Sequence, residues 1–188
     1  IQDGQNLAWK LAVVLQGYAD STLLSTYETE RRHVAGFAAE QEEITEREKT
    51  TDNELQARFG FYASSAVLSS EEGSTPDYTK LRGQPGSRVP HVWVEYQGRR
   101  ISTLDITGHH FVLLTGLDGE GWHKAAKECT AHSGIELAAY SIGPEGELVA
   151  SEESWQQATG LCEHGMLLVR PDGFVAVPGR GPGEDRGR

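Results

Sequence analysis

The sequence predicts an α/β protein: an N-terminal helical segment followed by a thioredoxin-like α/β domain that lacks a Cys-x-x-Cys pair. Three observations carry this. Apolar residues recur at helical spacing from the first residues onward. Gly, Ser, Pro and Asp crowd the middle of the chain in loop proportions. From His91 to Val177 strand and helix signals alternate and end in a hairpin, the order of a central sheet with helices on its faces.

In the first helix, Asp3–Gln16, Leu7, Leu11, Val14, Leu15 and Tyr18 share one side, while Trp9, Ala12 and Val13 lie opposite; Gly17 is placed as the C-terminal stop. A helix apolar nearly all round belongs between two layers. Asp20 or Ser21 restarts a helix at Thr22, and Ser25 to Glu28 has capping-box spacing. From Tyr27 to about Phe59 the pattern is helical but strongly charged, as in a long, partly exposed helix or helix pair. These signals place a helical region at 1–60, a linker at 61–90, an α/β domain at 91–177 and a disordered tail at 178–188.

Within the α/β domain, Val92–Tyr96 and Arg99–Ser102 flank a Gln97-Gly98 turn as a hairpin. Phe111–Thr115 is a short apolar strand, Gly121–His132 a helix with Trp122, Ala125, Ala126 and Cys129 on one apolar face, and Glu136–Ile142 the next strand. Glu152–Gly160 is a helix around Trp155, and Met166–Arg170 turns through Pro171-Asp172-Gly173 into Phe174–Val177.

Composition narrows the function classes. Seventeen Lys and Arg against 28 Asp and Glu give a formal net charge of −11, which offers no basic face to nucleic acid or anionic lipid. With no long apolar run and no secretory pattern, the expectation is a cytoplasmic protein without a membrane partner. Ile1 is not a start methionine and Met166 is the only methionine, so the chain reads as a fragment or a processed C-terminal piece.

Cys129 and Cys162 form neither a disulfide framework nor a redox pair and are read as buried small hydrophobes. Thiol redox catalysis needs a cysteine at a helix N-terminus, and the loop Leu117–Gly121 has none. Gly119-x-Gly121 is read as a plain turn, because Lys124 stands where a dinucleotide fingerprint needs its third glycine. The pairs Cys129/His132 and Cys162/His164 match no zinc spacing, His109-His110 are read as loop or surface residues, and no metal site is assigned. Asp3 and Asn6 admit two accounts: capping of the first helix, or a polar helix start that holds an electron-rich ligand.

Several segments together resemble a known family. Ile1-Gln2-Asp3-Gly4-Gln5-Asn6-Leu7-Ala8-Trp9-Lys10-Leu11, Leu24–Arg32, Pro85–Trp93, Ser102-Thr103-Leu104-Asp105 and Val169–Ala176 are similar, in order, to segments of FAD-dependent aromatic-ring hydroxylases, the flavoprotein monooxygenases that include phenol and polyketide hydroxylases. Gly4, His33 and Val177 depart from that pattern, which has Ala, Pro and Trp there.

The resemblance implies the C-terminal part of an enzyme that uses FAD, with NAD(P)H as reductant, to hydroxylate an aromatic small molecule. It implies that Ile1, Gln2, Asp3 and Asn6 lie at the flavin, and that the N-terminal FAD-binding motifs are absent from this stretch. No catalytic side chain is assigned within 1–188, since in that family the groups around the reacting ring lie mostly upstream. Alone, the chain is expected to be inactive. The alternative is a non-catalytic thioredoxin-like dimerisation or interaction module that pairs with a separate FAD-binding subunit; a homodimer stays open under either reading.

Overall fold

The computed structural model describes residues 2–32 and 83–179. The charged helical stretch after Arg32, the short extended pieces at 61–63 and 66–68, Ile1 and the tail beyond Gly179 lie outside the described residues.

Helix α1 spans Gln2–Leu15 and closes as Gly17, at φ 77°, lets the Tyr18 N–H reach back to the Val13 carbonyl at 3.0 Å. Helix α2 covers residues 22–32; the Asp20 carboxylate accepts from the Thr22 N–H at 2.9 Å and starts it. Ser25 is therefore not a cap. It lies inside the helix, where its hydroxyl donates to the Thr22 carbonyl at 2.6 Å, the local back-bond that the same spacing also permits.

Among the described residues the strands are β1 (Trp93–Tyr96), β2 (Arg99–Ser102), β3 (Phe111–Thr115), β4 (Leu137–Gly143), β5 (Leu148–Val149), β6 (Met166–Val169) and β7 (Val175–Gly179). They form one seven-stranded sheet in the order β2-β1-β5-β4-β3-β6-β7. β3 and β4 are parallel, joined by helix α3 (Glu120–Ser133), and β6 returns antiparallel to β3 after helix α4 (Glu152–Thr159). The hairpin β1–β2 turns on Gln97 and Gly98, both at positive φ, a geometry suited to the right-handed strand twist.

Strand β3 is buried on both faces: Val112, Leu113, Leu114 and Thr115 are all inside. Val112 and Leu114 join Val94, Ile142, Leu148, Trp155, Leu167 and Val175 in the main core. On α3 the inward residue is Ala126, with His123 and Thr130 beside it along the same stripe; the His123 ring meets the Thr115 hydroxyl at 3.0 Å. Cys129 belongs to the other side and is exposed, and Cys162 is half-buried, so neither is the buried hydrophobe expected from composition. Position 129 is one residue before Thr130, about 100° round the helix from it, which carries its side chain off the side shared by 123 and 130 and toward solvent.

Residues 86–89, within the stretch expected as a linker, run beside residues 173–175: Gly86 N–H donates to Val175 O and Val89 N–H to Gly173 O. Strand β7 continues through Pro178 and Gly179, two residues into the stretch expected as a tail. The outer edge of the sheet at the other end is β2, with Arg99 and Arg100 exposed.

Leu114 has no solvent exposure, whereas Leu15 on α1 is 83% exposed. Leu114→Ala is expected to cost about 2–5 kcal/mol in a denaturant titration. Leu15→Ala should stay within about 0.5 kcal/mol. Equal losses at both positions would contradict this description of the core.

Candidate functional site

Helix α1 is turned against expectation. Its buried residues are Asn6, Trp9 and Lys10, while Leu11 and Leu15 on its greasiest side are 38% and 83% exposed. The polar stripe faces inward because two other segments offer it charged partners. They are α2, through Glu30, and the turn Arg170-Pro171-Asp172-Gly173 between β6 and β7, through two of its residues.

That turn has a local logic. Pro171 sets the second position, the Gly173 N–H closes onto the Arg170 carbonyl at 2.9 Å, and Gly173 takes φ 81° before the chain re-enters the sheet. It holds Arg170 and Asp172 side by side: the Arg170 Nε donates to Asp172 Oδ1 at 3.1 Å and its Nη2 to Asp172 Oδ2. The same guanidinium forks onto Glu30, Nη1 to Oε1 at 3.1 Å and Nη2 to Oε2 at 3.0 Å.

The other contacts come from α1. Asn6 Nδ2 donates to Glu30 Oε2 at 2.7 Å and to Asp172 Oδ2 at 3.2 Å, and the Trp9 indole N–H donates to Asp172 Oδ2 at 3.1 Å. Lys10 Nζ lies 3.1 Å from Glu30 Oε2 as an ion pair. The Arg170 guanidinium carbon stands 5.0 Å from the centre of the Trp9 ring, whose edge-to-face partner is Phe111 at 5.5 Å. The side chains of Lys10, Glu30, Arg170 and Asp172 have no solvent exposure. Two cations thus meet two anions in the interior.

Burial pushes the Lys10 ammonium below the ordinary lysine range, and Glu30 opposes that without reversing it. Arg170 moves the other way, held above its ordinary value by Asp172 and Glu30 against the cost of burial.

The residues singled out at the start of the chain separate here. Ile1 lies outside the described residues. Gln2 is half-buried and Asp3 exposed in the first turn of α1, and Asp3 pairs with Arg31 of α2. Asn6 points inward into the ion cluster, and its Oδ1 is buried without a hydrogen-bond partner. Trp9, Lys10, Glu30, Arg170 and Asp172 carried no assigned role in the sequence. The available signal was a polar stripe, Asp3, Asn6 and Lys10, along a helix rich in apolar residues.

Glu30→Gln leaves two buried cations facing one carboxylate and is expected to cost about 3–5 kcal/mol by denaturant titration. For Lys10 the sign is fixed by its direction. The unfolded state keeps the proton to higher pH than the folded one, so in that alkaline window stability rises with pH. The stability of the unsubstituted chain relative to Lys10→Met should climb across this window; a flat difference would contradict the buried placement of Lys10.

The family model for the C-terminal region of aromatic-ring hydroxylases matches residues 82–187, and an FAD-binding domain model matches residues 1–42. The tetracenomycin A2 monooxygenase-dioxygenase of Streptomyces glaucescens is 41% identical over 187 residues, covering 94% of this chain and 33% of that protein. The 4-methyl-5-nitrocatechol 5-monooxygenase of a Burkholderia species is 36% identical, covering 98% of this chain and 37% of that protein. A crystal structure of aklavinone-11 hydroxylase with FAD and aklavinone superposes with a TM-score of 0.79 at 36% identity, over 97% of this chain and 36% of that one. The chain thus spans about a third of the length of the relatives it matches. Among the described residues no helix is long and apolar enough to cross a membrane. By the match over residues 82–187, the chain belongs to the aromatic-ring hydroxylase family, as its C-terminal region.

Proposed function

We propose that these residues are the C-terminal part of an FAD- and NAD(P)H-dependent monooxygenase that hydroxylates an aromatic ring, phenolic or polyketide. The observation that carries the reading is the ion cluster itself. Its members come from both matched regions, Asn6, Lys10 and Glu30 from the FAD-binding one and Arg170 and Asp172 from the C-terminal one.

The start of α1 fits a flavin in its chemistry. The first backbone N–H groups of a helix lack intrahelical partners and carry partial positive charge, which suits the electron-rich end of a reduced ring. A Cβ at Gly4 would meet nothing within 4 Å, so the first turn is open on that side. Arg31 neutralises the Asp3 carboxylate, which would otherwise oppose negative charge on a ligand. Gln2 and Asp3 are accordingly the residues placed to hold the cofactor, with Ile1 before them, and Asn6 acts from inside. FAD, when bound, supplies the redox chemistry, accepting reducing equivalents from NAD(P)H and activating O2 for transfer of one oxygen to the ring. This part of the protein binds and orients; the groups around the reacting carbon are assigned to the rest of the enzyme.

We read β3-α3-β4-α4-β6-β7 as a thioredoxin-like layer without the redox cysteines, since a parallel β-α-β pair is followed by an antiparallel hairpin. The organisation that goes with this is a helical remainder of the FAD-binding region at 1–60, a linker at 61–90 and the C-terminal domain at 91–177, in a cytoplasmic enzyme. The exposed Leu11 and Leu15 favour a covering body over α1. In the second reading that body is a separate FAD-binding subunit, with this chain as a non-catalytic interaction module or homodimer.

The test is expression of the full reading frame that contains this segment. The expected result is a yellow protein that consumes NAD(P)H and O2 and converts a phenolic or polycyclic aromatic test compound to its hydroxylated product. A purified full-length protein that retains no flavin would sink the reading. The 188-residue chain mixed with FAD should leave gel filtration colourless, and co-elution of flavin with it would show a cofactor site complete within these residues.

A further inference from the structure

The contacts that fix the start of α1 are polar, and they end in two places: α2 and the Arg170–Gly173 turn. Asn6 is one helical turn beyond Gln2 and Asp3. Its amide reaches Glu30 and Asp172, the indole N–H of Trp9 reaches the same Asp172 oxygen, and Asp3 pairs with Arg31, the residue after Glu30. Arg170 locks the two carboxylates to each other. Apolar packing would let a helix slide or roll at little cost, but a forked guanidinium and directed N–H donors accept one register. On the greasy side of α1 Leu11 and Leu15 are exposed and Leu7 and Val14 only half-buried, while the fully buried side chains are Asn6 and Lys10 of the polar side.

We infer that Arg170 and Asp172 are positioning residues for the cofactor region: the C-terminal sheet sets the axial register and rotation of α1 through Asn6 and Trp9, and with it the placement of Gln2 and Asp3. The cofactor half of this inference rests on the reading that the start of α1 faces the flavin. A plain stabilising role differs from it in one respect. Loss of stability anywhere in the sheet would loosen the whole chain together, whereas loss of the latch frees α1 first.

Amide hydrogen exchange on the 188-residue chain separates the two. Arg170→Ala and Asp172→Ala are compared with Leu167→Ala, a truncation in β6 within the main core cluster, to which no residue of α1 belongs. Exchange over residues 6–15 should rise about tenfold or more in the first two variants, with β3 and β4 changing by less than about threefold. In Leu167→Ala all these segments should move together. Asp172→Asn keeps the volume and removes the charge, and it gives the same pattern should the alanine variants fail to fold.

The second arm uses the full-length flavoprotein. There Arg170→Ala and Asp172→Ala should weaken FAD binding about tenfold below the melting temperature and shift the flavin absorption spectrum, while Leu167→Ala leaves both within about threefold. Arg170→Lys, which keeps the charge and loses the fork, should restore binding only in part. Equal exchange of α1 in Arg170→Ala and Leu167→Ala overturns the inference. Freed α1 with unchanged FAD binding and spectrum overturns its cofactor half. A full-length protein without flavin overturns the functional reading and that half with it, while the exchange pattern still decides whether the turn sets the register of α1.

Discussion

Glu30 accepts both arms of the Arg170 guanidinium in a place water does not reach, and the arrangement of the described N-terminal residues around the sheet depends on that pair. Two charges removed from water cost several kcal/mol each, and their mutual attraction offsets this only when geometry is good and the remaining donors and acceptors are filled. Asp172 fills the rest of the guanidinium, Asn6 adds a donor to each carboxylate, and Lys10 brings the cluster to neutrality. No member can be dropped singly without stranding another. Such a cluster contributes modestly to net stability compared with an apolar core of the same volume, but it discriminates sharply between the right docking of α1 and any other.

The inverted polarity of α1 has the same origin. A helix with leucines on one side and Asn6 and Lys10 on the other would ordinarily bury the leucines. Here the sheet end is capped by a turn carrying Arg170 and Asp172, so the polar side of α1 is complementary to it, with Trp9 buried beside that side and Phe111 as its ring partner. Leu11 and Leu15 face away. In relatives about three times as long, the matched segment is one part of a larger body, which is consistent with a helix that presents one face to each side.

Much of the fold was legible because its signals are local. β3 runs from Phe111 to Thr115 as its apolar run suggests, Gly17 stops α1 at positive φ, and Gly98 turns the first hairpin. β5 is only two residues long and leaves too short a pattern to read. Ser25 shows that a capping spacing inside a continuing helix has no meaning of its own, and Cys129 shows that an apolar face cannot be drawn from residue type when the helix rotation is set by His123 and Ala126. The ion cluster was not legible. Glu30 and Arg170 are 140 positions apart, and a charged side chain reads as a solvent face until its partner is known. What the sequence did contain was the ordered set of family segments that supply the cluster, and they marked the residues without revealing that they meet.

The two borders of the sheet differ. At one, residues 86–89 lie against the strand that comes after Gly173 and occupy part of its free hydrogen-bonding groups. At the other, β2 is four residues long and carries Arg99 and Arg100 outward. Short length and like charge both disfavour a further strand. Among the described residues both borders thus carry features that disfavour strand-by-strand growth from one molecule into the next: hydrogen bonds from residues 86–89 over part of β7, and a short, charged β2.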